Sequence, residues 1–193
     1  FVMLVLVLIF RQEHITLLAG MLTQPAEFGW VIRQAMIDVL KAIVFVMAFI
    51  AGVDFRPFDM RQDHRGTFTE VFQTHWHTCV TPVQWSVVHS HQHVFRGVHL
   101  HRRHDEYFSV VRGRATVGLR DVRPWSATRG TSAMYELSGD DLACVTFPLG
   151  VLHGWYFHED SLHLQAASEA YVDYCQDDNW GCVWSDPALE IPW

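Results

Sequence analysis

Positive charge is scarce in this 193-residue chain: 14 Lys and Arg stand against 21 Asp and Glu, for a formal net charge of -7. That balance argues against a general nucleic-acid surface, which needs clustered cations to neutralise phosphates. The one short basic run, Arg102-Arg103-His104, is too small for such a footprint, though a local phosphate pocket stays open to it. Close cysteine pairs are also missing. Cys79, Cys144, Cys175 and Cys182 are scattered, which argues against a thiolate zinc site or a Cys-x-x-Cys redox motif. Dispersed thiols are compatible with a reducing, cytoplasmic setting. No basic stretch precedes the apolar residues at the N-terminus, so a cleavable signal fits poorly. Long uninterrupted apolar runs are lacking too. Phe1 to Phe10 is too short to span a bilayer, and Asp38 and Lys41 interrupt the run from Ala35 to Val53.

Half of the residues are hydrophobic, enough for a folded core. Residues 1–52 are apolar and helix-like, with Pro25 and Gly29 separating two helical pieces. Packing against protein is the favoured role for this segment, with membrane contact as the alternative. From residue 53 to residue 193 the texture changes. Short runs rich in β-branched and aromatic residues span 67–72, 80–88, 94–101, 107–111 and 115–119, then 133–137, 142–147, 154–158 and 163–167. Many short strands punctuated by Gly, Pro, Asp and Asn predict an all-β sandwich or barrel. Gly113 sits where a hairpin needs a permissive backbone.

Histidine is abundant: 12 of 13 lie between His64 and His163. Strand alternation places His99 and His101 on one face, about 6.6–6.8 Å apart along the chain. Glu106 follows a turn, and His153 follows Pro148-x-Gly150. Three imidazoles and a carboxylate suit Mn, Fe, Ni, Co or Zn. The spacing from His99 to Gly113, with His153 later, resembles the metal-binding motifs of the cupin superfamily. That resemblance implies a jelly-roll barrel and a metal set of His99, His101, Glu106 and His153. Alternatively, Glu106 pairs with Arg102, Arg103 or Arg114, and no metal binds.

A second resemblance covers residues 63–193. Asp63-His64-Arg65-Gly66-Thr67-Phe68-Thr69-Glu70 is followed by Gln84-Trp85-Ser86, Phe95-Arg96-Gly97-Val98-His99 and Val110-Val111-Arg112-Gly113. Then come the stretches from Pro148 to Gly154 and from Trp184 to Trp193. In this order they resemble the dTDP-4-dehydrorhamnose 3,5-epimerase family, built on the cupin barrel. The resemblance implies a cofactor-free isomerase acting on a nucleotide-activated 4-keto deoxysugar, and a homodimer. It implies that His99 is the base and that His153 is the second pocket histidine. Arg65 and Arg96 would hold phosphates, with Phe68, Glu70, Gln84 and Ser86 lining the substrate. His104, His158 and His163 are expected to be structural or on the surface.

Three departures from the family pattern stand out. The pocket lysine falls at or beside Glu106, a carboxylate of the wrong sign for enolate stabilisation. The tyrosine acid falls at Gln165 or Ala166. The aspartate that orients the base comes after the segment ending at Trp193. These departures weaken double epimerisation and leave room for proton transfer at a single centre. The expectation stays an epimerase or isomerase on a nucleotide-activated 4-keto deoxysugar, with a metal-dependent cupin enzyme or a catalytically reduced nucleotide-sugar-binding protein as alternatives.

Overall fold

The computed structural model describes residues 49–193, and the helical segment expected at 1–52 lies outside these residues through position 48. Strands β1 (Asp54–Pro57), β4 (Gln84–Ser90), β6 (Glu106–Arg112), β9 (Ala143–Phe147) and β11 (Ser161–Ala167) form one antiparallel sheet, ordered β1-β9-β6-β11-β4. Strands β5 (Phe95–Leu100), β7 (Arg114–Asp121), β8 (Ser132–Ser138), β10 (Val151–Phe157) and β12 (Trp180–Gly181) form the second, ordered β12-β5-β10-β7-β8. A separate two-stranded hairpin joins β2 (Met60–Asp63) and β3 (Gly66–Thr69). One short helix, α1 (Tyr171–Tyr174), precedes β12. This is the expected all-β jelly-roll barrel.

Period-two alternation decides which side chains face the barrel interior. On β4, Trp85, Val87 and His89 are exposed while Gln84, Ser86, Val88 and Ser90 turn inward. Gln165 of β11 pairs with Ser86 on one side and Phe108 on the other. Central strand β6 is buried on both faces. Its outward Tyr107 packs with Val80, Cys144 and Ala166 beneath Phe58 and Phe72. On the other sheet, Leu189 and Ile191 of the C-terminal segment cover Val98 and Leu152.

Turn chemistry follows the glycines in two places. Gly113 closes the β6–β7 hairpin at φ +81°, and a Cβ there would meet the Ser161 hydroxyl oxygen at 2.3 Å. Gly97 has φ +123°, and a Cβ on it would stand 2.7 Å from the Gly154 Cα, so glycine is what lets β5 approach β10.

The strand expected at 80–88 occupies 84–90, and that expected at 67–72 shortens to 66–69. Val80 instead enters the core beneath the outer face of the first sheet.

Candidate active site

Strand β5 meets β10 with His99 directly opposite His153, and the register shifts just after His153. The rings of His99 and His153 lie 5.8 Å apart, centroid to centroid. His101 lies 6.2 Å from His99 and 5.0 Å from His153. His99 is half-buried, while His101 and His153 are buried. Trp155 stacks against His153 from the same strand.

Glu106, at the first position of β6, is the hub of the cluster. Its carboxylate lies 3.1 Å from His153 Nε2, 3.5 Å from His101 Nε2 and 3.6 Å from His104 Nε2. Gln165 Nε2 donates to Glu106 Oε1 at 2.9 Å. Glu106 therefore meets imidazoles and an amide, not the arginines its sequence neighbourhood suggested, and Arg103 pairs with Glu169 instead. His104, expected to be structural or on the surface, is an interior member of the cluster. It is buried, with Nδ1 2.9 Å from Asp178 Oδ2 and its other nitrogen turned to Glu106.

Asp178 organises this loop. Its carboxylate accepts the backbone N–H groups of Arg102 and Arg103 at 2.7 and 3.0 Å. Its main-chain carbonyl lies 2.7 Å from His101 Nδ1. No sequence reading singled Asp178 out, because it lies more than 70 positions from the loop it holds.

Tautomers follow from these partners. A carbonyl only accepts, so His101 Nδ1 carries the proton that it gives to Asp178. By the same logic His153 Nδ1 donates to Val151 O at 3.0 Å. Neutral rings would then turn two Nε2 lone pairs toward one carboxylate, so a shared proton or a cation completes the cluster.

Electrostatics sort the groups. Burial opposes a charge on Glu106, but the imidazoles of His153, His104 and His101 overcome it and hold the carboxyl well below its ordinary range. Burial pushes His101 down to about 4, despite Glu106 beside it. Burial also works against a charged His104, yet Glu106 and Asp178 keep it above the usual histidine value. His99 is lowered by burial first and by His153 second, so it is neutral near pH 7.

The remaining sequence candidates divide into two groups. Arg96 precedes His99 on β5, its Nε donating to Ser90 Oγ at 2.8 Å. Ser86 and Gln165 share the inward face, whereas Ala166 belongs to the outer core, so of the two only Gln165 reaches the cluster, through its bond to Glu106. Gln84 Oε1 accepts the Tyr171 backbone N–H at 2.9 Å. Arg65, Phe68 and Glu70 lie elsewhere, on or just after the hairpin. Arg65 pairs with Asp63 at 2.6 Å, Glu70 accepts from Gln73, and Phe68 is exposed. Among the described residues, no hydrogen bond, ion pair or ring contact joins these three to the histidine cluster. For a metal, the structure groups His101, Glu106 and His153, with their ligating atoms all within 4.8 Å of one another. His99 stands outside that group.

A jelly roll with a half-open neutral histidine facing a buried imidazole–carboxylate cluster has the make-up of a small-molecule site suited to acid–base chemistry. The profile of dTDP-4-dehydrorhamnose 3,5-epimerase matches residues 49–193. The chain belongs to the dTDP-4-dehydrorhamnose 3,5-epimerase family. It is similar to the spore coat polysaccharide biosynthesis protein SpsL of Bacillus subtilis, 26% identical over 145 residues, covering 75% of this chain and 96% of SpsL. Among solved structures, the dTDP-4-dehydrorhamnose 3,5-epimerase of Bacillus anthracis with TDP and PPi bound is 26% identical with a TM-score of 0.66, covering 73% of this chain and 84% of that one. The dTDP-6-deoxy-D-glucose-3,5-epimerase of Legionella pneumophila, in complex with dTDP-4-keto-L-rhamnose, shares the fold at 24% identity and a TM-score of 0.68, over 75% of this chain and 79% of that one.

Proposed function

We propose that this protein moves one proton on a nucleotide-activated 4-keto deoxysugar, as a single-centre epimerase or keto isomerase supplying sugars for a polysaccharide. The observation that carries the reading is the neutral, half-open His99 facing His153 inside the barrel. The ketone acidifies the adjacent C–H. His99 takes that proton, the electron pair moves onto the ketone oxygen as an enolate, and a donor returns a proton to the other face. His153, whose Nε2 lies 3.1 Å from the Glu106 carboxylate, is the second catalytic imidazole in this proposal. In this reading Arg96 meets the diphosphate with its fixed guanidinium donors, and Ser86 and Gln84 line the sugar side.

The restriction to one centre follows from Glu106 and Gln165. They occupy the places of the family's lysine and tyrosine and are hydrogen-bonded to each other. The chain's single lysine is Lys41, so residues 49–193 contain none to stabilise an enolate. Arg65, Phe68 and Glu70 act in this proposal from the hairpin of a second copy. The hairpin pairs only with itself among the described residues and carries exposed Met60 and Phe68. The free edge strand β4 shows Trp85 and Val87 at its surface. Exposed apolar groups on a hairpin and on an open sheet edge support a homodimer.

The test is incubation with dTDP-4-keto-6-deoxyglucose in D2O, with dTDP affinity measured in parallel. The expected result is deuterium at one carbon beside the ketone, with His99→Asn lowering exchange by roughly 100-fold or more while dTDP still binds. Nucleotide binding without exchange on several 4-keto sugars would make this a binding protein, and absence of both would overturn the reading.

A second reading is favoured by the lone pairs converging on Glu106. A divalent cation fits His101, Glu106 and His153, whose outer nitrogens are held by main-chain carbonyls as ligating histidines commonly are. Bound there, it would supply the Lewis acidity that the missing lysine does not. His99 would remain free to take a proton. Metal analysis of protein purified without nickel resin tests this reading, and less than about one-tenth of an equivalent would end it.

A further inference from the structure

A second cluster of ligating side chains lies on the barrel surface and plays no part in the pocket. His89 ends the outward face of β4, His91 follows in the β4–β5 turn, and Asp160 projects from the β10–β11 turn. We propose that His89, His91 and Asp160 form a binding site for a divalent transition-metal ion that clasps these two turns together. Their ligating atoms all lie within 4.8 Å of one another. The His91 Nδ1 to Asp160 Oδ1 separation is 3.5 Å. Two ligands on a tetrahedral ion with bonds of 2.0–2.1 Å stand about 3.4 Å apart, so this pair already has the spacing of coordinated atoms. The rings of His89 and His91 are 5.0 Å apart and nearly perpendicular, which lets both nitrogens turn to a common point. Two imidazoles and one carboxylate suit Zn, Co or Ni, with water completing the shell.

The cluster is more than an accident of exposed side chains, because the two turns are laced together beneath it. The Gln92 backbone N–H donates to Asp160 Oδ1 at 2.8 Å, fixing the carboxylate, and the Gln92 side chain donates to His158 O at 3.1 Å. His93 N donates to Phe157 O at 2.8 Å, and Phe157 N donates to Val94 O at 3.0 Å. Buried Ser161 donates to Glu159 O and accepts from Arg114 N, which sets the second turn. The Gln92 N–H bond, helped by His91 and against the opposing effect of burial, also holds Asp160 below the usual carboxylate range. The ligands thus come preplaced on a braced scaffold, and an ion joining them binds the folded chain alone.

The experiment is titration of the full chain with Zn2+ alone at pH 7.5 by calorimetry, with Co2+ absorption as a spectroscopic reporter. Wild type is compared with Asp160→Asn, His89→Gln/His91→Gln and, as a control for the buried cluster, Glu106→Gln. Asp160→Asn keeps an oxygen that can accept from Gln92, so the turn is preserved while the anionic ligand is lost. The expected result is one equivalent that weakens on the order of tenfold or more in Asp160→Asn and disappears in His89→Gln/His91→Gln. That equivalent persists in Glu106→Gln, the Co2+ spectrum is tetrahedral, and sugar-nucleotide exchange is unchanged in the two surface variants. Zn2+ affinity within twofold of wild type in both surface variants, or no binding by wild type, would overturn the proposal.

Discussion

His99 and His163 show how position in the barrel decides what one residue type does. His99 is lowered by burial yet half-open, so the base is already unprotonated at neutral pH. Because the base must be unprotonated to work, kcat/KM should fall only as pH drops through a value below 6.5. An acid limb centred above 6.5 in a pH–rate profile would contradict its assignment. His163 is sealed among Phe108, Phe157 and Trp155 at ring distances of 4.8, 5.2 and 6.2 Å. Burial, helped by Arg96, pushes it down to about 4. The unfolded chain binds that proton near 6.5, so acidification from about 6.5 toward 4 favours unfolding, by roughly 3 kcal/mol at full effect. Denaturant titrations across this range should show His163→Phe retaining more of its stability at pH 4.5 than wild type does. The sequence made His99 legible because its neighbours form a recognisable string. His163 and His104 were illegible, since nothing local tells whether an imidazole meets aromatic rings, two carboxylates or water.

Among the elements, β5 and β10 matter most, because their pairing makes the site. Gly97 combines a left-handed backbone with a Cβ position only 2.7 Å from the Gly154 Cα and 2.9 Å from the His153 carbonyl oxygen. Backbone cannot yield as a flexible side chain can. Gly97→Ala should therefore cost about 2–4 kcal/mol in a melt and pry His99 from His153, so that exchange activity falls further than the loss of folded protein explains. Activity per folded molecule equal to wild type would refute the coupling. Strand patterning was readable where alternation is strong, as along 84–90 and 132–138. It failed for β1, β2 and β12, which are four, four and two residues long. Strands that short carry too few side chains to display a period, and they depend on partners distant in the chain.

At the scale of the molecule, the hairpin and the sheet edge make the proposed homodimer testable. Phe68→Asp should shift the protein from dimer to monomer in light scattering, with the barrel's circular dichroism kept, and should lower sugar-nucleotide affinity by about tenfold or more. A wild-type monomer with full activity would remove the hairpin residues from the site. The family pattern made Arg65, Phe68 and Glu70 visible as a group in the sequence, but it could not say which copy they serve. Linear order does not encode where an arm with no further sheet partner among the described residues comes to rest. Among the described residues, no helix is long and apolar enough to cross a membrane.

The fastening of residues 101–104 by Asp178 has a consequence for the order in which the molecule comes apart. Both main-chain and side-chain atoms of one late residue hold the stretch that carries His101 and His104, while the two five-stranded sheets have ladders of their own. On gentle heating or limited proteolysis, release of the tail near 178, with the two-residue edge strand β12 that follows it, should silence the chemistry while β4 to β11 still hold together. Amide hydrogen exchange would record this as early labelling of Arg102 and Arg103 against a protected β6, with turnover vanishing below the melting temperature.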